Sequence, residues 1–191
     1  MALWGITDAD EAKPKWLTTA QKKEVFANNS GWVVEAGSTQ TGNDNTDAQP
    51  EVLCCVGDLA TGIGAADITE IEFITTAFDK SDGGNIDVRV RFNEQVTVNT
   101  SGGTPTLTIT NDTPSRNLTA TYLSGSTTNE LIFRKTIAAA NAATNAGDVL
   151  SIAANAMALA SGTIKDTADG TTNATITNSG AIGTAAGTIT V

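Results

Sequence analysis

Between positions 86 and 92 the chain reads Ile-Asp-Val-Arg-Val-Arg-Phe, apolar and charged residues in strict alternation. Successive side chains of an extended strand point to opposite faces, so this order gathers Ile86, Val88, Val90 and Phe92 on one side. Asp87, Arg89 and Arg91 fall on the other. A helix would scatter the same residues around its surface. Just upstream, Asp82-Gly83-Gly84-Asn85 supplies residues that tolerate the positive φ of a tight turn. The segment is therefore predicted to be a half-buried strand entered through a turn.

The same texture recurs on both sides of it. Asp67 to Ile74 reads as a first strand. Val96-Thr97-Val98 reads as an edge segment, and Pro105 to Thr110, Leu118 to Leu123 and Glu130 to Lys135 read as further strands. Val149 to Ile152, Gly162 to Lys165, Ala174 to Thr177 and Gly187 to Val191 complete the series. About seven to nine short strands, with turn signals every 8 to 12 residues or so, indicate an all-β chain folded as a β-sandwich. Ile137 to Ala160 is rich in alanine, and propensity alone would make it helical. Asparagines interrupt it and no apolar stripe recurs at helical spacing, so it is predicted to be loop, strand and loop.

Residues 1–66 differ. They hold all three tryptophans, Trp4, Trp16 and Trp32, and lack sustained periodicity. Thr19 to Phe26 fits either a short helix capped near Thr18 or, over its second half, an edge strand. Gly31 to Glu35 and Glu51 to Val56 read as strands, with a polar loop from Gly37 to Gln49. The small residues Gly62-Ile63-Gly64-Ala65-Ala66 mark a seam. The expected organisation is an irregular N-terminal arm, 1–66, followed by a sandwich, 67–191. With few apolar runs, the arm is expected to bury its tryptophans against the sandwich or a neighbouring subunit.

Composition removes several function classes. The net charge of -10 repels phosphate backbones, so no nucleic-acid partner is expected. Histidine is absent, which excludes Ser-His-Asp and Cys-His nucleophiles and His-ligated metals. The two cysteines, Cys54 and Cys55, are adjacent; a bond between them would close a strained ring, and they read as small strand residues. No run approaches the roughly 20 apolar residues that span a bilayer, so no membrane partner is expected. The N-terminus shows no signal-peptide pattern, which predicts synthesis in the cytoplasm and no cleaved export signal.

No constellation points to catalysis, and no cofactor is expected. Asp79, Asp82 and Asn85 carry oxygen donors around a Gly-Gly turn, but their spacing does not match an EF-hand loop. Asp166 and Asp169 form a second acidic turn, and Asp44 and Asp47 lie in the polar loop. All are read as solvated turn residues, with no metal site assigned. Glu70 and Glu72 share one face of the first strand and are predicted to form a solvent-facing stripe. Sequons at Asn28, Asn99, Asn111 and Asn117 are expected by chance in a chain this rich in Asn and Thr.

Two stretches resemble known families. Val88 to Val98, followed by Gly103-Thr104-Pro105-Thr106-Leu107-Thr108-Ile109, resembles the immunoglobulin-like repeats of bacterial surface proteins. In those repeats, Phe-Ser/Asn-Glu-x-Val-x-Val leads to Gly-x-Pro-x-Leu-x-Leu. The likeness runs on through Ala120 to Ser126, Asn129 to Phe133 and Gly162 to Asp166. It departs at Asp169-Gly170-Thr171-Thr172-Asn173, where the repeats close with Asp-x-x-Gly-Asn. The opening Met1-Ala2-Leu3-Trp4-Gly5, with Lys13 to Leu17 and Gly31 to Val33, is similar to the start of virion structural proteins from tailed phages of marine cyanobacteria. These resemblances imply an immunoglobulin-like domain in a non-enzymatic virion protein of the capsid-decoration type, located on the capsid surface. Its partners would be the major capsid protein or other virion proteins, with self-association into a homo-oligomer, a trimer being favoured.

On that reading Trp4, Trp16, Trp32 and Phe26 are the interface candidates, because large aromatics dominate the energy of such contacts. Each tryptophan singly fits equally well as a cap on the sandwich core. Deletion of residues 1–35 is then expected to abolish attachment and leave the sandwich folded. The alternatives are a neck, tail or fibre protein, or a bacterial cell-surface adhesion module. A sugar-binding face would want exposed aromatics, and residues 67–191 offer only Tyr122 and phenylalanines that alternation places inward.

Overall fold

A computed structural model of the chain describes residues 13–191. It is mostly β, as the alternation predicts. After a short helix α1 (Thr19–Lys23), three strands follow: β1 (Val25–Asn28), β2 (Gly31–Val34) and β3 (Glu51–Cys55). A one-turn helix α2 (Leu59–Gly62) leads to β4 (Ile68–Phe73) and the long β5 (Gly84–Asn99). Then come β6 (Thr106–Asn111), β7 (Leu118–Ser124), β8 (Thr128–Ile137), β9 (Val149–Ser151), β10 (Met157–Ala158) and β11 (Thr163–Asp166). Helix α3 (Gly180–Ala185) and β12 (Ile189–Thr190) close the chain.

The hydrogen-bonded path runs β12-β9-β6-β7-β8-β5-β1-β2-β3, with β4 and β11 also on β5 and β10 on β6. β5 organises the molecule. Its first half pairs with β4 and β8, as in Val88 with Phe133 and Val90 with Leu131. Its register on β8 shifts between Arg91 and Val96, and beyond the shift it pairs with β11, Val98 opposite Ile164. This exchange of partners brings the strands around one core in a sandwich-like arrangement. Ile86, Val88, Val90 and Phe92 meet Leu107, Ile109, Leu131, Phe133, Leu150 and Ile164 there, all essentially without solvent exposure. Val96, predicted at an edge, is instead fully buried within this long strand.

The alanine-rich stretch is turn and short strand, with no helix. Ala174 to Thr177 forms only an isolated bridge, Thr175 with Asp67. Helix α3 goes unsignalled in the sequence; the Ser179 hydroxyl accepts from the Ile182 amide and caps its start.

The N-terminal segment from Lys13 is a small sheet with a core of its own. Both readings of Thr19 to Phe26 apply in part: the chain makes one capped helical turn, then a strand. The Thr18 side chain caps the Gln21 amide, and Gln21 reaches back to the Thr18 amide at 2.9 Å. Trp32 sits on the middle strand, opposite Ala27 on β1 and Cys54 on β3. Leu17, Val25, Val34, Leu59, Ala60 and Ile63 close around it. Gly31, at φ +133°, is required where β2 meets β3, because a Cβ there would lie 2.0 Å from the Cys54 carbonyl oxygen. This cluster ends at Ile63, and the sandwich core begins at Ala66.

Candidate functional site

The interface candidates separate once they are placed. Trp32 is 0 % exposed and Phe26 2 %. Both side chains are covered within this chain: Trp32 in the core that β3 and α2 complete, where the expectation that it is buried against the sandwich or a neighbouring subunit is corrected, and Phe26 on the opposite face of β1, beside Glu24, Glu35 and Arg91. Trp16 behaves oppositely, at 59 % exposed. Its neighbour Leu17 is buried in the N-terminal core and donates its amide to the Pro14 carbonyl at 3.2 Å. That turn carries Trp16, whose side chain is more than half exposed. Trp4 lies outside the described residues.

The sheet and the sandwich meet along the middle of β5. β1 joins β5 in parallel, with Ala27 opposite Glu94. The strand is therefore covered from Arg91 to Glu94, charged residues included. Two polar clusters flank this joint.

In the first, the guanidinium of Arg91, 6 % exposed, is surrounded by carboxylates. Its Nη2 lies 3.1 Å from Glu35, and its Nη1 lies 2.9 Å from Glu70 and 3.2 Å from Glu72, while Nε donates to Glu130. Arg89 bridges Glu72 and Glu130 beside it, and Lys23 pairs with Glu70. Glu70 and Glu72 are thus not the solvent-facing stripe expected. Their cross-strand partners on β5 are Arg91 and Arg89, and β1–β2 brings Glu35 over the top. Burial pushes the Glu35 carboxyl up to about 7, the Glu130 charge adds to this, and Arg91 opposes it. Lys13, whose ammonium donates to the Lys22 carbonyl at 2.7 Å, is lowered to about 8 by burial and then by Arg91.

In the second cluster Glu94 is 0 % exposed and Asp166 1 %. Neither carboxylate oxygen of Glu94 has a hydrogen-bond donor. Burial raises its pKa to about 9, followed by the charges of Asp166 and Asp67. Asp166 is raised as well, by burial first, although the Ala168 amide donates to it at 2.6 Å. No sequence reading singled out Glu94. The available signal was a carboxylate inside Phe92-Asn93-Glu94-Gln95-Val96, where the repeats of the resemblance also carry Glu.

Asp166, read as a solvated turn residue, is instead buried; the other acids of those turns, Asp44, Asp47, Asp79, Asp82 and Asp169, are exposed. Asp79 accepts from the Ser81 amide at 2.7 Å, and Asp169 accepts from the Thr171 and Thr172 amides, which together with the Thr172 hydroxyl hold it down to about 2. Cys54 and Cys55 are both free thiols. Among the described residues no three acidic, cysteine or histidine side chains converge as a metal cage, and no helix is long and apolar enough to cross a membrane.

Comparison with known proteins returns no match: no family model, curated protein or solved structure aligns with the chain.

Proposed function

We propose that this chain is a virion structural protein of the capsid-decoration type, with a structural rather than catalytic role on the head surface. The observation that carries the reading is the exposed indole of Trp16, set on a turn whose neighbour Leu17 is fixed in a core. A large aromatic that is pre-positioned contributes contact area at low ordering cost. The acidic, all-β body is suited to remaining soluble while facing the medium. The resemblances of the Val88 to Ile109 and Met1 to Val33 segments to surface repeats and phage virion proteins supply the partner class: the major capsid protein or another virion protein.

The anchor is narrower than residues 1–35. Removing those residues would delete β1 and β2, expose the charged middle of β5 and take Trp32 from its core. The informative change is Trp16→Ala in the full chain. Purified protein is mixed with undecorated heads and the bound fraction measured by sedimentation. The wild-type protein is expected to co-sediment saturably, and Trp16→Ala to bind at least about tenfold more weakly, the penalty of losing one aromatic anchor. Equal binding of the two proteins would remove Trp16 from the interface, and absence of wild-type binding would overturn the reading. Light scattering coupled to size exclusion tests self-association, with a trimer expected.

A further inference from the structure

We propose that the groove between α1, α3 and β4 binds a small amphiphilic anion, a medium-chain aliphatic carboxylate, with its head at Lys13 and Lys22 and its tail along α3. The cavity measures about 440 Å³, within the roughly 300–1,000 Å³ of small-molecule sites. Three lysines line it: Lys13, ahead of α1, and Lys22 and Lys23 in the last turn of that helix. Ala181, Ile182 and Ala185 of α3 supply the apolar lining, and Glu70 enters from β4.

The sign of this cavity runs against the chain as a whole. Asp and Glu outnumber Lys and Arg by 21 to 11, yet here three ammonium groups face one carboxylate. That carboxylate, Glu70, is already held by Lys23 and by Arg91, the latter at 2.9 Å. Lys13 and Lys22 form no salt bridge among the described residues. Lys13 gives one of its three donors to the Lys22 carbonyl at 2.7 Å, which fixes the ammonium and leaves two donors for a ligand. Burial first, and then the Arg91 charge, disfavour its protonated form; Lys22 adds to them, and Glu70 and Glu35 oppose. A carboxylate seated in the cavity relieves that desolvated positive charge.

The rest of the lining sets the body of the ligand. Ala181 and Ala185 lie one helical turn apart and Ile182 lies three residues before Ala185, so all three share a face of α3. The two methyl side chains leave open the space that a longer residue would fill. A purely ionic ligand gains nothing from these groups, whereas an alkyl chain is removed from water against them. A single negative charge suits the cavity better than the two of a phosphate monoester, because its lining is mainly apolar and each further charge taken from water is unfavourable. Lysine ammonium groups act as point charges without the planar fork of arginine, so the pairing of one charge with an apolar chain selects the ligand, not the shape of its head.

The test uses the full chain, isotopically labelled on nitrogen and titrated with sodium octanoate at neutral pH, with butanoate and inorganic phosphate as comparison ligands. Octanoate is expected to bind one-to-one and saturably, moving amide resonances of α1, α3 and the start of β4. Butanoate keeps the head and loses most of the chain, and phosphate has no chain; each should bind at least about tenfold more weakly. Ala185→Leu, at an exposed helix position, fills the groove, and Lys22→Glu reverses a charge at its rim. Both are expected to remain folded by circular dichroism and to bind octanoate at least about tenfold more weakly, while Lys135→Glu on β8 should bind as wild type does. No saturable octanoate binding by wild type, or resonance shifts centred elsewhere, overturns the proposal. Binding that Ala185→Leu and Lys22→Glu leave unchanged overturns it too. Phosphate binding as tight as that of octanoate, or equal weakening by Lys135→Glu, reduces the effect to charge alone and also overturns it. Failure of head attachment has no bearing on this outcome.

Discussion

The N-terminal sheet and the sandwich solve the same burial problem on different scales. The sandwich draws aliphatic and aromatic residues from nine strands, β4 to β12, into one contiguous core, and no single side chain dominates it. The N-terminal unit closes a much smaller core around one tryptophan, using one face of three short strands and the α2 turn. A small unit depends more on each large residue, and on what it borrows from its neighbour. Here the borrowed contact is the middle of β5, where charge is buried from both sides. The joint between the units therefore holds the polar residues with the most perturbed environments, and the cores on either side are apolar.

The largest expected effects test whether the small unit depends on one residue. Trp32→Ala should cost about 3–5 kcal/mol in urea denaturation, the range for losing a buried Trp or Phe. Hydrogen exchange should show protection lost across β1 to β3 and kept in β5 to β8. Phe133→Ala should cost a similar amount but remove protection everywhere, since β8 lies at the centre of the sandwich. If Trp32→Ala removes protection from both regions alike, the two behave as one cooperative unit.

The joint comes next. Arg91→Ala leaves Glu35, Glu70 and Glu130 without their buried counter-charge and should destabilise by about 3–5 kcal/mol. Arg134→Ala breaks a well-formed pair with Asp87 that is more solvent-exposed than the Arg91 cluster, and should cost only about 0–1 kcal/mol. Equal costs for the two arginines would mean that the seam is more solvated than its burial indicates.

A smaller, graded effect follows from pH. Glu94 has a folded pKa raised to about 9, so its contribution to stability is complete below the ordinary carboxylate range and is lost as pH rises toward 9. Glu35 acts in the same direction but only up to about 7. Stability should therefore fall between pH 7 and 8, by up to about 1.4 kcal/mol per pH unit for the one group. Glu94→Gln should remove that slope, as measured by chemical denaturation at fixed pH steps. An unchanged slope in the variant would show that Glu94 is not the titrating group. The smallest stability effect belongs to Trp16→Ala, within about 0.5 kcal/mol because its side chain is exposed, even though attachment is expected to weaken.

What could be read from the residues follows the same division. Period-two alternation identified β6 and the first half of β5, because each lays one face on the core, while β4, β7 and β8 were legible as short strand runs between turn signals. Trp32-Val33-Val34 was harder. Trp32 and Val34 face the small core that α2 closes, while Val33 is buried on the opposite face, so the strand shows no alternation and the segment that covers Trp32 lies far along the chain. Glu70-Ile71-Glu72 alternates like a solvated edge, and only its register against Arg89 and Arg91 on β5 shows the acids to be paired, Glu70 buried and Glu72 half-buried. Glu94 was illegible for a related reason. Its burial is produced by β1 and β11, which reach it from opposite ends of the sequence.

The most direct test of the central claim, that residues from Lys13 onward form a folded sheet fixed to the sandwich along β5, is amide hydrogen exchange read by mass spectrometry on the full-length protein. Peptides spanning 25–34 should be protected many-fold over an unstructured chain and lose that protection in Arg91→Ala. Exchange across 25–34 at the unstructured rate in the wild-type protein, with 86–92 still protected, would contradict the account.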